Sequence, residues 1–332
     1  MDEPTAALAD HEADILHTLV RRLRRQGIGV LYVSHRLAEV FELADRITVL
    51  KDGRNVTTTP TAQTTPAQLV RHMVGRDLTG YYPDRAALGH PGPVRLTVRG
   101  AGNHKLSDIN LRLRAGEVVG VGGLQGSGRS ALARALFGVT PFTTGEIELD
   151  DTPIRPNSPR AAIRAGIAYV SEDRKGEGII ARQPVLDNAL LAGRALGGPW
   201  TGRAARATRA RKVLDAVDLR STGIDQEIRY LSGGNQQKVV LARWLALDPR
   251  VIIFDEPTRG IDVGAKAAIH DIVRRIAHDG AAVLMISSDL PELLGMSDRI
   301  IVMRDGRIVG ELPAGAPEAD VVATAMGAVT AP

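Results

Sequence analysis

The chain has 332 residues, 44% hydrophobic and 24% charged, enough for one large or two modest domains with real cores and too apolar for wholesale disorder. Cysteine is absent, which excludes disulfides, thiolate metal sites and cysteine nucleophiles. The pI is about 9.5, but the net charge is only +4 and no dense basic run alternates with aromatics, so no nucleic-acid partner is expected. No apolar run reaches the ~20 residues that span a bilayer, and Met1-Asp2-Glu3 opens no signal peptide, so any membrane association is expected to run through a partner.

From its first residues the chain contains a repeat. Asp2-Glu3-Pro4-Thr5 returns as Asp255-Glu256-Pro257-Thr258, and the same offset of 253 aligns Ser34 with Ser287, Glu39 with Glu292 and Asp45-Arg46-Ile47 with Asp298-Arg299-Ile300. The match continues through Asp52-Gly53-Arg54 and Asp305-Gly306-Arg307, so two copies of one unit are expected. The second copy has about 160 residues of related material ahead of its DEPT, from Val94 onward, and the first has only Met1. Residues 1–77 therefore read as the C-terminal remnant of a unit that has lost its front. Strands are expected near Val30 and Ile47, and without a strand ahead of Asp2 this remnant is expected to expose unpaired backbone and to be the less stable part. Residues 78–93 carry three Pro and two Tyr without helical or strand periodicity and read as a linker.

Residues 94–332 carry the chemistry. Glu117 to Val121 is strand-like and leads into Gly123-Leu124-Gln125-Gly126-Ser127-Gly128-Arg129-Ser130, followed by a helical stretch from Ala131 through Leu136. This is the phosphate-loop pattern with Arg129 in place of lysine. Glycines let backbone amides wrap phosphate oxygens, the helix N-terminus adds positive partial charge, and Ser130 is the expected Mg²⁺ ligand. Taken alone, a Gly-rich turn between strand and helix is also a generic tight connection. Leu231-Ser232-Gly233-Gly234-Asn235-Gln236-Gln237 follows, with Ser232 suited to cap a helix through Ala242. The apolar run Val251 to Phe254 then reads as a parallel strand buried on both faces, ending in Asp255, suited to hold a metal, and Glu256, suited to orient or deprotonate water. Further strands are expected at Ala281 to Ile286 and Arg299 to Met303, with a helix from Ala265 to His278 ahead of them, after the strand ending at Phe254, which gives an α/β sheet. Acids after a strand can merely solvate its end, and Ser-Gly-Gly can merely cap a helix; the three motifs in this order are not a plausible coincidence.

Phosphate loop, LSGG signature and DEPT in that order resemble the ATP-binding cassette (ABC) family: residues 94–327 as a whole cassette, 1–75 as a partial one. Ser171-Glu172-Asp173-Arg174-Lys175 and the run Leu231 to Lys238 resemble the second cassette of ribose-, galactose- and xylose-type bacterial importers. The resemblance implies a P-loop NTPase fold, with a mixed core sheet, an antiparallel β subdomain and a helical subdomain at about 178–230. It implies ATP and Mg²⁺ as ligands and ATP hydrolysis coupled to integral-membrane permease subunits, with a sugar-binding protein acting indirectly. The place implied is the cytoplasmic face of the bacterial inner membrane, held peripherally. Each ATP is clamped between the phosphate loop of one cassette and the signature of another, here Ser232, Gly233, Gly234 and Gln236; the second cassette comes from a homodimer or a separate subunit.

Several positions depart from that pattern. Arg129 spreads the charge of the usual lysine over a planar fork, and Glu172 stands where a glutamine is usual, adding negative charge near Glu256. Ser288 falls where the repeat places His35, so the second copy lacks the imidazole that contacts a γ-phosphate. No aromatic lies between Val94 and Leu136 to stack on adenine. Asp2, Glu3 and His35 survive in the first copy, where Ala9 replaces the Asp that Asp262 supplies in the second. The expectation is a site that binds ATP and cleaves it poorly. The alternatives are a non-hydrolysing nucleotide-binding remnant and a soluble tandem cassette protein of translation or DNA repair.

Overall fold

The computed structural model describes residues 1–2, 4–5, 10–34, 37–51, 54–65, 68–69, 72, 82–83, 92–197 and 202–327. Most of the expected linker, together with Glu3, Ala9 and His35, lies outside them. The chain divides into two compact units, Met1–Tyr81 with Asp262–Ala267, and Tyr82–Ile261 with Ala268–Pro332.

In the first unit, helix α1 (Asp10–Arg25) is followed by helix α2 (Leu37–Leu43) and the hairpin β1 (Arg46–Lys51) to β2 (Arg54–Pro60). Ile47, Val49 and Leu69 form a small buried cluster, flanked by Val40, Phe41 and Ala44. The strand expected near Ile47 is β1. No strand forms near Val30: the described residues there make one isolated parallel bridge, Asp2 with Val33, and Leu31 is 82% exposed. A strand needs a ladder of backbone partners, and one bridge is not a ladder.

The second unit is built on a six-stranded sheet. Its strands are β5 (Val118–Gly122), β8 (Ile167–Val170), β9 (Val251–Asp255), β10 (Ala282–Ile286), β11 (Arg299–Arg304) and β12 (Arg307–Pro313), in spatial order β12-β11-β5-β10-β9-β8. The pairs from β11 to β8 are parallel, and β12 closes the edge antiparallel. Every residue of β5, β8, β9 and β10 is buried, which is why these strands read as continuous apolar runs rather than alternating ones. Register brings Val121, Ile286, Asp255 and the end of β8 to one level, so the loops that follow these strands open along one edge of the sheet.

A separate antiparallel sheet, order β4-β3-β6-β7, comprises β3 (Val94–Gly102), β4 (Ile109–Arg114), β6 (Thr144–Leu149) and β7 (Thr152–Pro153). Helix α3 (Arg129–Leu136) follows β5, and α4 (Pro159–Ala165) precedes β8 with the Ser158 hydroxyl accepting from the Ala161 amide as its cap. The expected helical region contains α5 (Val185–Ala189), α6 (Leu191–Ala195) and α7 (Arg203–Asp215), and α8 (Gly233–Leu245) leads back into β9. The remaining helices are α9 (Val263–His278), α10 (Leu290–Met296) and α11 (Glu318–Met326).

Candidate functional site

The loop after β5 takes a shape that its sequence permits and few others would. Gly123 has φ +142°, and a Cβ there would lie 2.4 Å from the Met303 carbonyl oxygen; Gly128 has φ +104° and stands at the start of α3. Ser127 is buried and its Oγ has no hydrogen-bond partner, a donor left over inside the loop. Leu124, Gln125 and Gly126 are exposed at its tip, and Ala131 is the third residue of the helix. A half-open loop with a spare buried hydroxyl at a helix N-terminus suits an anion with several oxygens.

Facing this loop is Asp255, fully buried at the end of β9. Ser130 Oγ donates to its Oδ1 at 3.1 Å, and the Tyr169 hydroxyl donates to its Oδ2 at 3.1 Å. Burial pushes the Asp255 carboxyl up to about 6; the two hydrogen bonds work against that rise, and the charges of Glu172 and Glu256 add to it. A buried, crowded carboxylate beside a hydroxyl is where a cation lowers the electrostatic energy most. Among the described residues no group of three or more His, Asp or Glu forms a metal cage. A metal here would therefore draw the rest of its shell from phosphate and water, as Mg²⁺ does in phosphoryl-transfer sites.

Glu256 stands next to it in left-handed backbone, φ +51°, a conformation uncommon outside glycine and one that marks functional positions. Its Oε2 accepts from Ser288 Oγ at 3.0 Å, so the residue that the repeat aligns with His35 lies against this acid. Burial raises the Glu256 carboxyl; hydrogen bonds from Ser288 and the nearby charge of Arg129 oppose the rise. Arg129 NH1 donates to the Ser287 carbonyl at 3.0 Å, which ties the loop's cation to the end of β10. Glu172 pairs with Arg259 at 3.2 Å and lies close enough to raise the Asp255 carboxyl.

The signature residues lie elsewhere in the unit. Ser232 occupies the cap position of α8, but its hydroxyl accepts no helix amide; it accepts from Asn235 Nδ2 at 3.0 Å, so the expected side-chain cap is not made. Gly233 sits against the Arg174 guanidinium and the Gly260 carbonyl, and Gly234 is buried. Gln236 is buried, its Nε2 donating to the carbonyls of Ile228 and Leu231, where it braces the signature loop from within. Among the described residues no hydrogen bond joins Ser232, Gly233 or Gly234 to the phosphate loop. Of the first-copy residues, Asp2 is exposed and bridges to Val33, while Glu3 and His35 lie outside the described residues.

Two residues escaped sequence reasoning. Tyr169 is an aromatic inside an apolar strand, and nothing in its spacing marks the hydroxyl. His270 is buried, with Nε2 2.6 Å from Glu292 Oε1, and Glu292 also accepts from Thr258 at 2.6 Å and Ser287 at 2.5 Å. The repeat already paired Glu292 with Glu39 and Thr258 with Thr5; the same offset pairs His270 with His17 and was the available signal.

A phosphate loop and an acid pair meeting at the strand ends of a mixed sheet, with an antiparallel sheet and a helical region beside it, define an ATP-binding cassette. The ABC transporter family model matches residues 106–259. The chain is 49% identical over 318 residues to "Ribose import ATP-binding protein RbsA 1" of Rubrobacter xylanophilus, covering 95% of this chain and 63% of that protein. It is 46% identical to "Ribose import ATP-binding protein RbsA 2" of Rhizobium etli, covering 100% of this chain and 67% of that one. Among solved structures, the crystal structure of a nucleotide-free ATP-binding cassette from an ABC transporter aligns with TM-score 0.61 at 22% identity, covering 70% of this chain and 96% of that one. The chain belongs to the ATP-binding proteins of ABC transporters. It spans roughly three fifths to two thirds of the length of the curated relatives it matches.

Proposed function

We propose that the chain is an ATP-binding and ATP-hydrolysing component of a bacterial sugar importer, working through integral-membrane permease subunits. The observation that carries the nucleotide site is the convergence of Ser130, Asp255, Glu256 and Ser288 beside a phosphate loop with a spare buried hydroxyl. Ser130 and Asp255 would hold Mg²⁺, which supplies charge neutralisation for the phosphates. Glu256 is the acid placed to orient or deprotonate the attacking water, and burial raises its carboxyl above the usual carboxylate value. Gly126, Gly128, Arg129 and Ala131 complete the loop, and Ser232, Gly233 and Gly234 present the start of α8 to nucleotide held by another cassette. The sugar reading rests on the chain's similarity to proteins named for ribose import, or for ribose/galactose/methyl galactoside import. The helical region at 178–230 is the part we assign to the permease, and the place of action is the cytoplasmic face of the inner membrane. Among the described residues no helix is long and apolar enough to cross a membrane.

Two features favour slow turnover. Arg129 spends a donor on Ser287, and Ser288 offers a hydroxyl where the first copy has His35. One lost preorganised donor at such a site costs about 10²- to 10³-fold in rate by analogy with oxyanion donors. The test is Mg-ATP turnover by the purified chain, alone and with its permease, alongside Glu256→Gln and a nucleotide-binding assay. Turnover is expected to fall at least ~10²-fold in the variant with binding retained. Equal turnover in both proteins would remove Glu256 from the mechanism.

A further inference from the structure

We propose that Tyr169 is a positioning residue for the metal-holding carboxylate, its hydroxyl fixing Asp255 through Oδ2 so that Oδ1 stays beside Ser130. The inference rests on the reading of Ser130 and Asp255 as the metal pair. It starts from register. In the parallel pair β8 and β9, Tyr169 stands opposite Ile253, and Asp255 lies two residues further along β9 on the same face. That diagonal is within reach of an aromatic side chain carrying a polar tip, and the hydroxyl meets Oδ2 at 3.1 Å.

Nothing about the ring is free to drift. Tyr169 is 7% exposed, and its centroid is 5.3 Å from that of Phe137 at the end of α3. Phe137 in turn meets the Trp244 ring of α8 edge-on at 5.7 Å and 88°. Arg134, paired with Glu177 at 2.8 Å, also reaches the phenol. The phenol O–H points at a carboxylate oxygen, so in this bond the hydroxyl is the donor.

A phenylalanine would fill the same volume, so the hydroxyl's use is the carboxylate. Asp255 has no solvent to rotate into, and its two oxygens are claimed by two hydroxyls on opposite sides. Removing one leaves Oδ2 buried without a donor and lets the carboxylate turn away from Ser130, which weakens the cation's hold while leaving the amide cradle of the phosphate loop intact. The ring chain Tyr169–Phe137–Trp244 further links the Tyr169 ring, through Phe137, to the helix that begins at the signature.

The experiment measures binding of a fluorescent ATP analogue to the full chain, titrated with Mg²⁺ and repeated in excess chelator, for wild type, Tyr169→Phe and Phe137→Leu. Tyr169→Phe is expected to raise the Mg²⁺ half-saturation about tenfold, the loss of one hydrogen bond to a charged group, with metal-free affinity unchanged. Phe137→Leu is expected to lower the melting temperature and leave the half-saturation in place. An unchanged half-saturation in Tyr169→Phe overturns the proposal, as does an equal shift in both variants, which would assign the effect to packing. Wild type that binds nucleotide without any Mg²⁺ dependence would overturn the metal pair itself, a failure distinguishable from that of Tyr169.

Discussion

The two copies of the repeat form the same elements and use them differently. At an offset of 253, α1 matches α9, α2 matches α10, and the hairpin β1–β2 matches β11–β12, each with identical bounds, and even the register irregularity at Val49/Leu50 returns at Val302/Met303. The strand β10 has no such counterpart. Ala282 to Ile286 is buried throughout, paired with β5 on one side and β9 on the other; the matching residues Gly29 to Val33 hold one bridge, with Leu31 82% and Val33 48% exposed. Helices and hairpins are closed by contacts near in sequence, so they form in both copies. A central strand is defined by its neighbours, and among the described residues only the second unit supplies them.

The widest difference expected between the copies is therefore in backbone protection. Native-state hydrogen exchange should find the amides of Leu31 and Tyr32 exchanging at least ~10³-fold faster than those of Leu284 to Ile286, because the latter open only with the sheet. Equal protection would show that the first copy gains a second strand partner, and the contrast drawn here would fall.

That contrast also marks what could be read in advance. The offset, the order of the motifs and the presence of helices after the phosphate loop, after Ser232 and before His278 were legible because each depends on local spacing and punctuation, while individual helix ends fell two or three residues from where they were expected. The strand near Val30 was expected from composition and does not form, since an apolar run says nothing about who lies beside it. Ser232 was expected to cap α8 with its side chain, and Asn235 takes that hydroxyl instead. Tyr169 on Asp255 and Arg129 on Ser287 join residues 86 and 158 apart, distances over which no periodicity speaks.

The buried carboxylates sharpen the comparison next. Glu292 accepts from Thr258, Ser287 and His270; Glu39 accepts from Thr5 at 2.8 Å, Tyr32 at 3.1 Å and Ser34 at 3.2 Å. The histidine at the matching position, His17, lies 3.7 Å from Glu42 instead, and the residue matching Glu42 is Gly295, whose missing side chain makes room for the Tyr82 ring. Glu292→Ala strands three buried partners, one of them a histidine, and should cost about 3–5 kcal/mol in chemical denaturation of the second unit. Glu39→Ala should cost the first unit less, about 1–3 kcal/mol. Burial opposes ionisation of Glu292, but His270 by hydrogen bond and charge, then Ser287 and Thr258, hold its carboxyl below the usual range. Its contribution is thus full above that range and lost as the pH falls through the lowered value, so the wild-type advantage should shrink in acid. An acid-insensitive difference would mean that Glu292 matters for packing alone.

The leading acids of the two DEPT motifs give the last and smallest contrast. Asp255 is fully buried and Asp2 exposed. Burial is the main cause that raises the Asp255 carboxyl from 3.8 to about 6, so the protonated form is the one that folding favours. Such a group stabilises the fold fully below its unfolded value, and that contribution is lost as the pH rises through about 6. Asp255→Asn, which removes the ionisable group, should therefore make the nucleotide-free protein more stable at pH 8 by on the order of 3 kcal/mol, an advantage that fades toward pH 4. Asp2→Asn should stay within about 0.5 kcal/mol at either pH. Saturating Mg-ATP should reverse the ranking at pH 8, since it stabilises the protein that can hold the metal and not the one that cannot. A wild type more stable than Asp255→Asn without nucleotide would mean that the buried aspartate is a structural acid, and its raised proton affinity would no longer support a role in holding a cation.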